Sequence, residues 1–327
     1  MTLHENKPLF QQAVRFTAQQ MNLPEIYVEK DYWVTFALQA IFRSDIGRET
    51  VFKGGTALSK CFGLINRFSE DIDLVVLRGR EESNNQLTNK IRKIGKVVSA
   101  VMPEVKIDGI TRKMGMNRKT AHSYQKEFQG DYGQIRDVII IEATWLGYSE
   151  PYTVRTVTSF IYKMMQEANQ AHFTQQYELS PFNVIVLEPR RTLCEKIMSL
   201  VRFSYTEDPV DDLKKKIRHC YDLHQLLRER EIIHFFESPE FDVMLLKVAT
   251  DDVASFRNNN LWLANHPAQA RIFANVENTW ELIKSSYSGD FRNLVYGDFP
   301  EADYVLKTLQ SISQRLGKIS WQVPKGL

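Results

Sequence analysis

The sequence predicts an α+β fold: a mixed-sheet core preceded by two helices and followed by a helical C-terminal half. Three observations predict it. Apolar residues recur at helical spacing over residues 8–42, the period shifts to short β-rich runs between about 50 and 160, and helical spacing returns from about 187 onward. A chain of 327 residues exceeds one typical domain, so two compact units are expected, 1–186 and 187–327.

The first helical stretch breaks at Pro24, and after it Trp33, Phe36, Ala37, Ala40 and Ile41 form a stripe that needs a partner surface. Strand-like runs at 72–77, 137–146 and 152–158 alternate with a helical stretch around 88–102. Residues 111–134 have little period and several Gly and polar residues, so they read as a long loop or a ragged hairpin. Pro189 stands near the start of a helix whose apolar face is Leu193, Ile197, Leu200 and Val201. A second helix is predicted from Asp211 to Glu229, with further helices near 239–250, 267–285 and 301–316.

Composition narrows the function classes. Hydrophobic residues make up 43% and charged residues 25%, which sets disordered and fibrous classes aside. A net charge of +2 does not by itself announce nucleic-acid binding, so any such surface must be local. Cys61, Cys194 and Cys220 are odd in number and widely spaced, which argues against a disulfide framework or a zinc site and for a reducing cytoplasm. Neither a signal peptide nor a run of some 18 apolar residues is present, so neither export nor a membrane is expected. The seven His form no closely spaced ligand set, and no Ser, His and Asp arrangement stands out.

The densest chemistry lies in Phe52 to Leu77, FKGGTALSKCFGLINRFSEDIDLVVL. Asp71 and Asp73 are two apart in a run otherwise apolar, so on a strand both carboxylates project from one face and make a divalent-metal site. Upstream, Gly54 and Gly55 open a short helix, where a backbone without Cβ can approach a phosphate closely. Thr56 either caps that helix or, like Ser59, offers a hydroxyl to a phosphate oxygen. Lys53 and Lys60 flank the element and read as solvated cations. A two-metal phosphoryl-transfer site needs a third carboxylate. Glu142, interrupting the apolar run 138–143, is the candidate for it, where a strand-end or ion-paired structural role is the alternative.

Lys196 either snorkels from a core edge or places a charge on a triphosphate, and Asp222 either pairs with Arg218 four residues earlier or serves the same site. Arg112, Lys113, Arg118 and Lys119 form an acid-free basic cluster suited to a polynucleotide backbone or to plain solvation, with Tyr124 and Phe128 following as candidate base-stacking rings. Lys214, Lys215, Lys216 and Arg218 form a second cluster, partly offset by Asp211 and Asp212.

Lys53 to Leu74, KGGTALSKCFGLINRFSEDIDL, resembles the first motif of the AbiEii-type nucleotidyltransferases of the DNA polymerase β-like superfamily, which include the toxins of AbiE-type and MenA/MenT-type toxin–antitoxin systems. Glu29 to Trp33, EKDYW, is similar to that family's N-terminal helix motif, Glu195-Lys196 to its lysine motif, and Arg218 to Leu223 to its final Arg-and-Asp motif. The resemblance covers roughly residues 25–230 and implies a polymerase β-like nucleotidyltransferase core. It implies an NTP substrate with Mg²⁺ or Mn²⁺, an RNA acceptor, which in the toxin members is the 3′ end of tRNA, a cognate antitoxin, and a setting in toxin–antitoxin or phage defence. By position it assigns Gly54, Gly55 and Ser59 to the triphosphate, Asp71 and Asp73 to the metals, and Lys196 and Asp222, from the C-terminal domain, to completion of the site, with Glu142 a looser match to the superfamily's third carboxylate. A small-molecule or protein nucleotidyltransferase, or a nucleotide-binding regulator without catalysis, is the competing reading.

Overall fold

A computed structural model describes all residues except 70, 131–134, 148, 257–258 and 323–327. Its contacts divide the chain into two compact units. The first comprises Met1–Gly63, Phe68–Trp145 and Tyr152–Val186, and the second Leu64–Arg67, Leu146–Pro151 and Leu187–Leu327.

The first unit opens with α1 (Lys7–Met21) and α2 (Glu25–Arg43), separated by Asn22 in the left-handed conformation and by Pro24. Then follow β1 (Thr50–Lys53), the one-turn helix α3 (Gly54–Ala57), β2 (Asp71–Val76) and α4 (Asn84–Ser99), whose start is fixed by a capping box between Ser83 and Gln86. The strands β3 (Glu104–Val105), β4 (Arg112–Lys113), β5 (Asn117–His122), β6 (Ile139–Thr144) and β7 (Tyr152–Val157) come next. Two short helices, α5 (Phe160–Glu167) and α6 (Ala171–Gln176), lead to β8 (Phe182–Leu187).

Among the described residues the eight strands form one mixed sheet in the order β3-β5-β6-β2-β1-β8-β7, with β4 on β5. The strand β2 runs antiparallel to β1 and parallel to β6, so it lies inside the sheet. That position explains its composition: Ile72, Leu74, Val75 and Val76 are all buried. Stretch 111–134, read as a loop or ragged hairpin, contains the β4–β5 hairpin, with Arg112 opposite Lys119 and Lys113 opposite Arg118. Its last four residues lie outside the described ones.

The second unit carries α7 (Pro189–Phe203), α8 (Pro209–Lys215), α9 (Ile217–Leu226), α10 (Arg230–Glu237), α11 (Pro239–Ser255), α12 (Arg271–Ala274), α13 (Val276–Ser288) and α14 (Ala302–Leu316). The single helix expected over 211–229 is two, because Lys216 (φ −102°, ψ 12°) leaves helical register for one residue. Ala270 (φ −61°, ψ 138°) and Asn275 (φ −140°, ψ 63°) divide the stretch expected as one helix over 267–285 into a 3₁₀ turn and two helices. Trp280, Tyr287, Phe291, Leu309 and Ile312 are buried in its core. All three cysteines are free thiols. Among the described residues no helix is long and apolar enough to cross a membrane.

Candidate active site

The acidic strand and the glycine turn are brought together by register. Antiparallel pairing of β1 with β2 sets Lys53 opposite Asp73, and the next residue, Gly54, turns away at φ +82°. An L side chain is strained there, and a Cβ on residue 54 would stand 2.3 Å from Asp73 Oδ2. Glycine at this position is therefore required twice, by the backbone and by the carboxylate. The helix α3 that starts here continues into a widened, π-type turn over Leu58–Phe62, closed by Gly63 in the left-handed conformation. Thr56 is buried. Its hydroxyl donates to the Asp71 carbonyl at 2.6 Å and stands 2.9 Å from the Ser69 hydroxyl. It ties the glycine helix to the start of β2, so the hydroxyl is committed within the protein rather than held out to a phosphate.

Parallel pairing of β2 with β6 sets Asp71 beside Ile140 and Asp73 beside Glu142, and β5 adds Lys119 beside Glu142. Residues in register share a face, so Arg112, Lys119, Glu142, Asp73 and Lys53 form one row across five strands, with Asp71 two residues along on the same face. Glu142 accepts from Asn117 Nδ2 and Lys119 Nζ, both at 3.1 Å. Burial works to raise its pKa, but Lys119 and Asn117 outweigh it and hold the carboxyl below its usual range. Asp73 behaves oppositely: burial first, then the charges of Asp71 and Glu142, push it up to about 7 against the pull of Lys53 and Lys119. Asp71 Oδ1 is buried without a hydrogen-bond partner, and the Arg136 guanidinium stands 3.8 Å away.

The basic cluster is sorted by the same alternation. Arg112 and Lys119 lie on the face of Asp73. Lys113 and Arg118 lie on the other, where both approach Glu104, at 2.6 and 4.0 Å, and Arg118 runs along Gly95 of α4. Tyr124 and Phe128, expected as base-stacking rings, are instead buried: Tyr124 stacks on Trp33 at 5.6 Å, and Arg15 covers Phe128. Lys60, expected in solvent, is buried and paired with Asp31 at 2.6 Å.

In the second unit Lys196, Asp222 and Arg67 meet. Asp222 is fully buried and takes a two-pronged contact from Arg67, Nε to Oδ1 and Nη2 to Oδ2, both 2.7 Å, while Lys196 Nζ donates to Oδ2 at 2.5 Å. Burial alone would raise the carboxyl's pKa, yet Arg67 and Lys196 hold it far below the ordinary carboxylate range. The residues that sequence reasoning passed over are Arg67, Asn117 and Arg136, and it did not foresee that Asp31 of the EKD segment pairs with Lys60. Arg67 carried a local signal, a cation within the apolar-flanked motif LINRF.

A mixed sheet with paired aspartates on an inner strand, next to a glycine turn that a side chain would block, is the architecture of a nucleotidyltransferase. The comparisons agree. The family described as "Nucleotidyl transferase AbiEii toxin, Type IV TA system" matches residues 37–308, and the chain belongs to it. Among solved structures it is similar to MenT4, a nucleotidyltransferase toxin from Mycobacterium tuberculosis H37Rv, at 16% sequence identity and a TM-score of 0.53, over 94% of this chain and 90% of that one. At that identity the likeness concerns the fold. No curated protein sequence matches.

Proposed function

We propose that this nucleotidyltransferase transfers a nucleotide from an NTP to an RNA acceptor, the 3′ end of tRNA, with release of pyrophosphate. The observation that carries the reading is the Gly54–Asp73 contact: the chain gives up a side chain where its backbone must pass an acidic strand. The acceptor hydroxyl oxygen forms a bond to the α-phosphorus and gives up its proton to solvent, while the bond from that phosphorus to the bridging oxygen breaks in line and pyrophosphate leaves with the electron pair.

The donor set suits a hard divalent cation. Asp71 offers an oxygen with no hydrogen-bond partner, and Asp73 has its proton affinity raised by burial and by the neighbouring carboxylates. Among the described residues no three His, Cys, Asp or Glu side chains form a ready cage. A two-carboxylate site is nonetheless what Mg²⁺ uses when substrate phosphates complete its shell. Asp71 and Asp73 would hold Mg²⁺ or Mn²⁺, which when bound neutralises the triphosphate and lowers the pKa of the attacking hydroxyl. Glu142, already held by Lys119 and Asn117, sets the charge beside Asp73 and is a third ligand only if it releases Lys119. Gly54, Gly55 and Ser59 receive the phosphates, and Arg112 with Lys119 meets the acceptor backbone. The family's motifs also assign Lys196 and Asp222 to the reaction, and Asp222 orients Lys196.

The family brings with it a toxin role and a cognate antitoxin; a setting in phage defence and in the cytoplasm completes the proposal. Incubation with labelled NTPs, Mg²⁺ and total cellular RNA is expected to label RNA, and Asp71→Ala/Asp73→Ala to abolish labelling in a protein that still unfolds cooperatively. No transfer with any NTP and any RNA, or activity surviving in the double variant, would overturn the reading. Efficient labelling of a protein or small-molecule acceptor would redirect it.

A further inference from the structure

Helix α2 carries three consecutive buried charges, Glu29, Lys30 and Asp31. Successive helical residues point about 100° apart, so each reaches a different segment. Glu29 accepts the backbone N–H groups of Glu127 and Phe128 at 2.7 and 3.3 Å. Lys30 Nζ donates to the carbonyl of Arg136, the residue whose guanidinium faces Asp71. Asp31 divides its carboxylate: Oδ1 is 2.6 Å from Lys60 Nζ, and Oδ2 accepts the N–H of Phe160 at 2.8 Å.

Lys60 is enclosed in return. Its ammonium also donates to Thr35 Oγ1 at 2.7 Å and to the Thr158 carbonyl at 3.4 Å, and it sits 5.5 Å from the Phe160 ring centre. Its donors are taken up inside the protein. Lys60 directly follows Ser59 in the widened turn that continues the glycine helix. Widened turns are rare and often stand at functional sites, while a buried ion pair seldom stabilises a fold more than apolar side chains of similar volume. The pair is thus better suited to fixing one local geometry than to raising overall stability.

We propose that Asp31, acting through Lys60, is the positioning residue of the nucleotide site. It holds the Leu58–Phe62 turn so that Ser59 keeps its place relative to the Gly54–Gly55 backbone. The inference rests on the reading of Gly54, Gly55 and Ser59 as the triphosphate's contacts. It gives a role to Asp31 of the EKD segment in α2.

The test compares wild type with Asp31→Asn/Lys60→Met, which removes both charges together and keeps an acceptor for the Phe160 N–H. Binding of a non-hydrolysable NTP analogue with Mg²⁺ is measured by calorimetry, beside KM and kcat for transfer. The expected result is a cooperatively folded variant whose analogue Kd and NTP KM rise about tenfold or more, with kcat at saturating NTP within about threefold. A folded variant with wild-type Kd and KM, or one that loses kcat alone, overturns the proposal. Should the double variant not fold, Asp31→Glu decides, since it keeps the charge and moves it by one methylene: a raised KM supports positioning, an unchanged KM overturns it. Wild type that binds no analogue overturns the triphosphate reading itself, and this inference with it.

Discussion

Gly54 and Asp73 constrain each other. A methyl on residue 54 must both adopt φ +82° and displace the Asp73 carboxylate. Gly54→Ala is therefore expected to cost about 1–2 kcal/mol of stability by denaturant titration and to abolish transfer. On the proposed reading, Asp73 links activity to pH. Its carboxyl binds a proton more tightly in the fold, about 7, than the ordinary value of 3.8. The stability supplied by that proton is fully present below pH 3.8 and is lost as pH rises through 7. Asp73→Asn, neutral at every pH, should raise the melting temperature relative to wild type at pH 8, leave it unchanged at pH 3.5, and eliminate transfer. Equal melting temperatures at pH 8 would show that neither burial nor the neighbouring carboxylates penalise the Asp73 charge. That Asp71 and Asp73 share a face was legible because a strand's period is two. That Thr56 faces Asp71 and not a phosphate was not, since a hydroxyl's partner depends on which strand runs past it.

Elements decide which basic residues can act together. Alternation along β5 places Lys119 with Arg112 on the carboxylate face and Arg118 with Lys113 over Glu104. Arg112→Ala is expected to weaken RNA binding across sequences and to lower the slope of log affinity against log salt by about one, while Lys113→Ala changes it little. Equal effects from both would remove the distinction. The helices of the second unit set a different expectation. Arg67→Met leaves Asp222 buried with one of its two cations gone, and should cost about 3–5 kcal/mol in equilibrium unfolding. Four positive charges within eight residues were evident in the chain. Their separation onto two faces follows only from the hairpin register, which little in the irregular stretch 111–134 specified.

Across the whole molecule, the site is a collection of long-range agreements. Its carboxylates stand on β2 and β6, flanked by the lysines of β1 and β5, so a divalent cation with an NTP should stabilise the entire first unit by relieving repulsion at its centre. Because that cation must displace the Asp73 proton below pH 7, its affinity should fall about tenfold per pH unit from 7 to 5, measured by calorimetry at each pH. A pH-independent affinity would mean that Asp73 is not a ligand.

The chain by itself determined the α+β class, the helical C-terminal half, the glycine turn and the paired aspartates. Each is written in local periodicity or in a backbone conformation open to only one residue type. Tertiary structure alone decided that Arg67 pairs with Asp222 across 155 positions, that Asp31 holds Lys60, and that Tyr124 and Phe128 are core rather than surface. A buried charge must find a partner, but nothing local says which one the fold will bring.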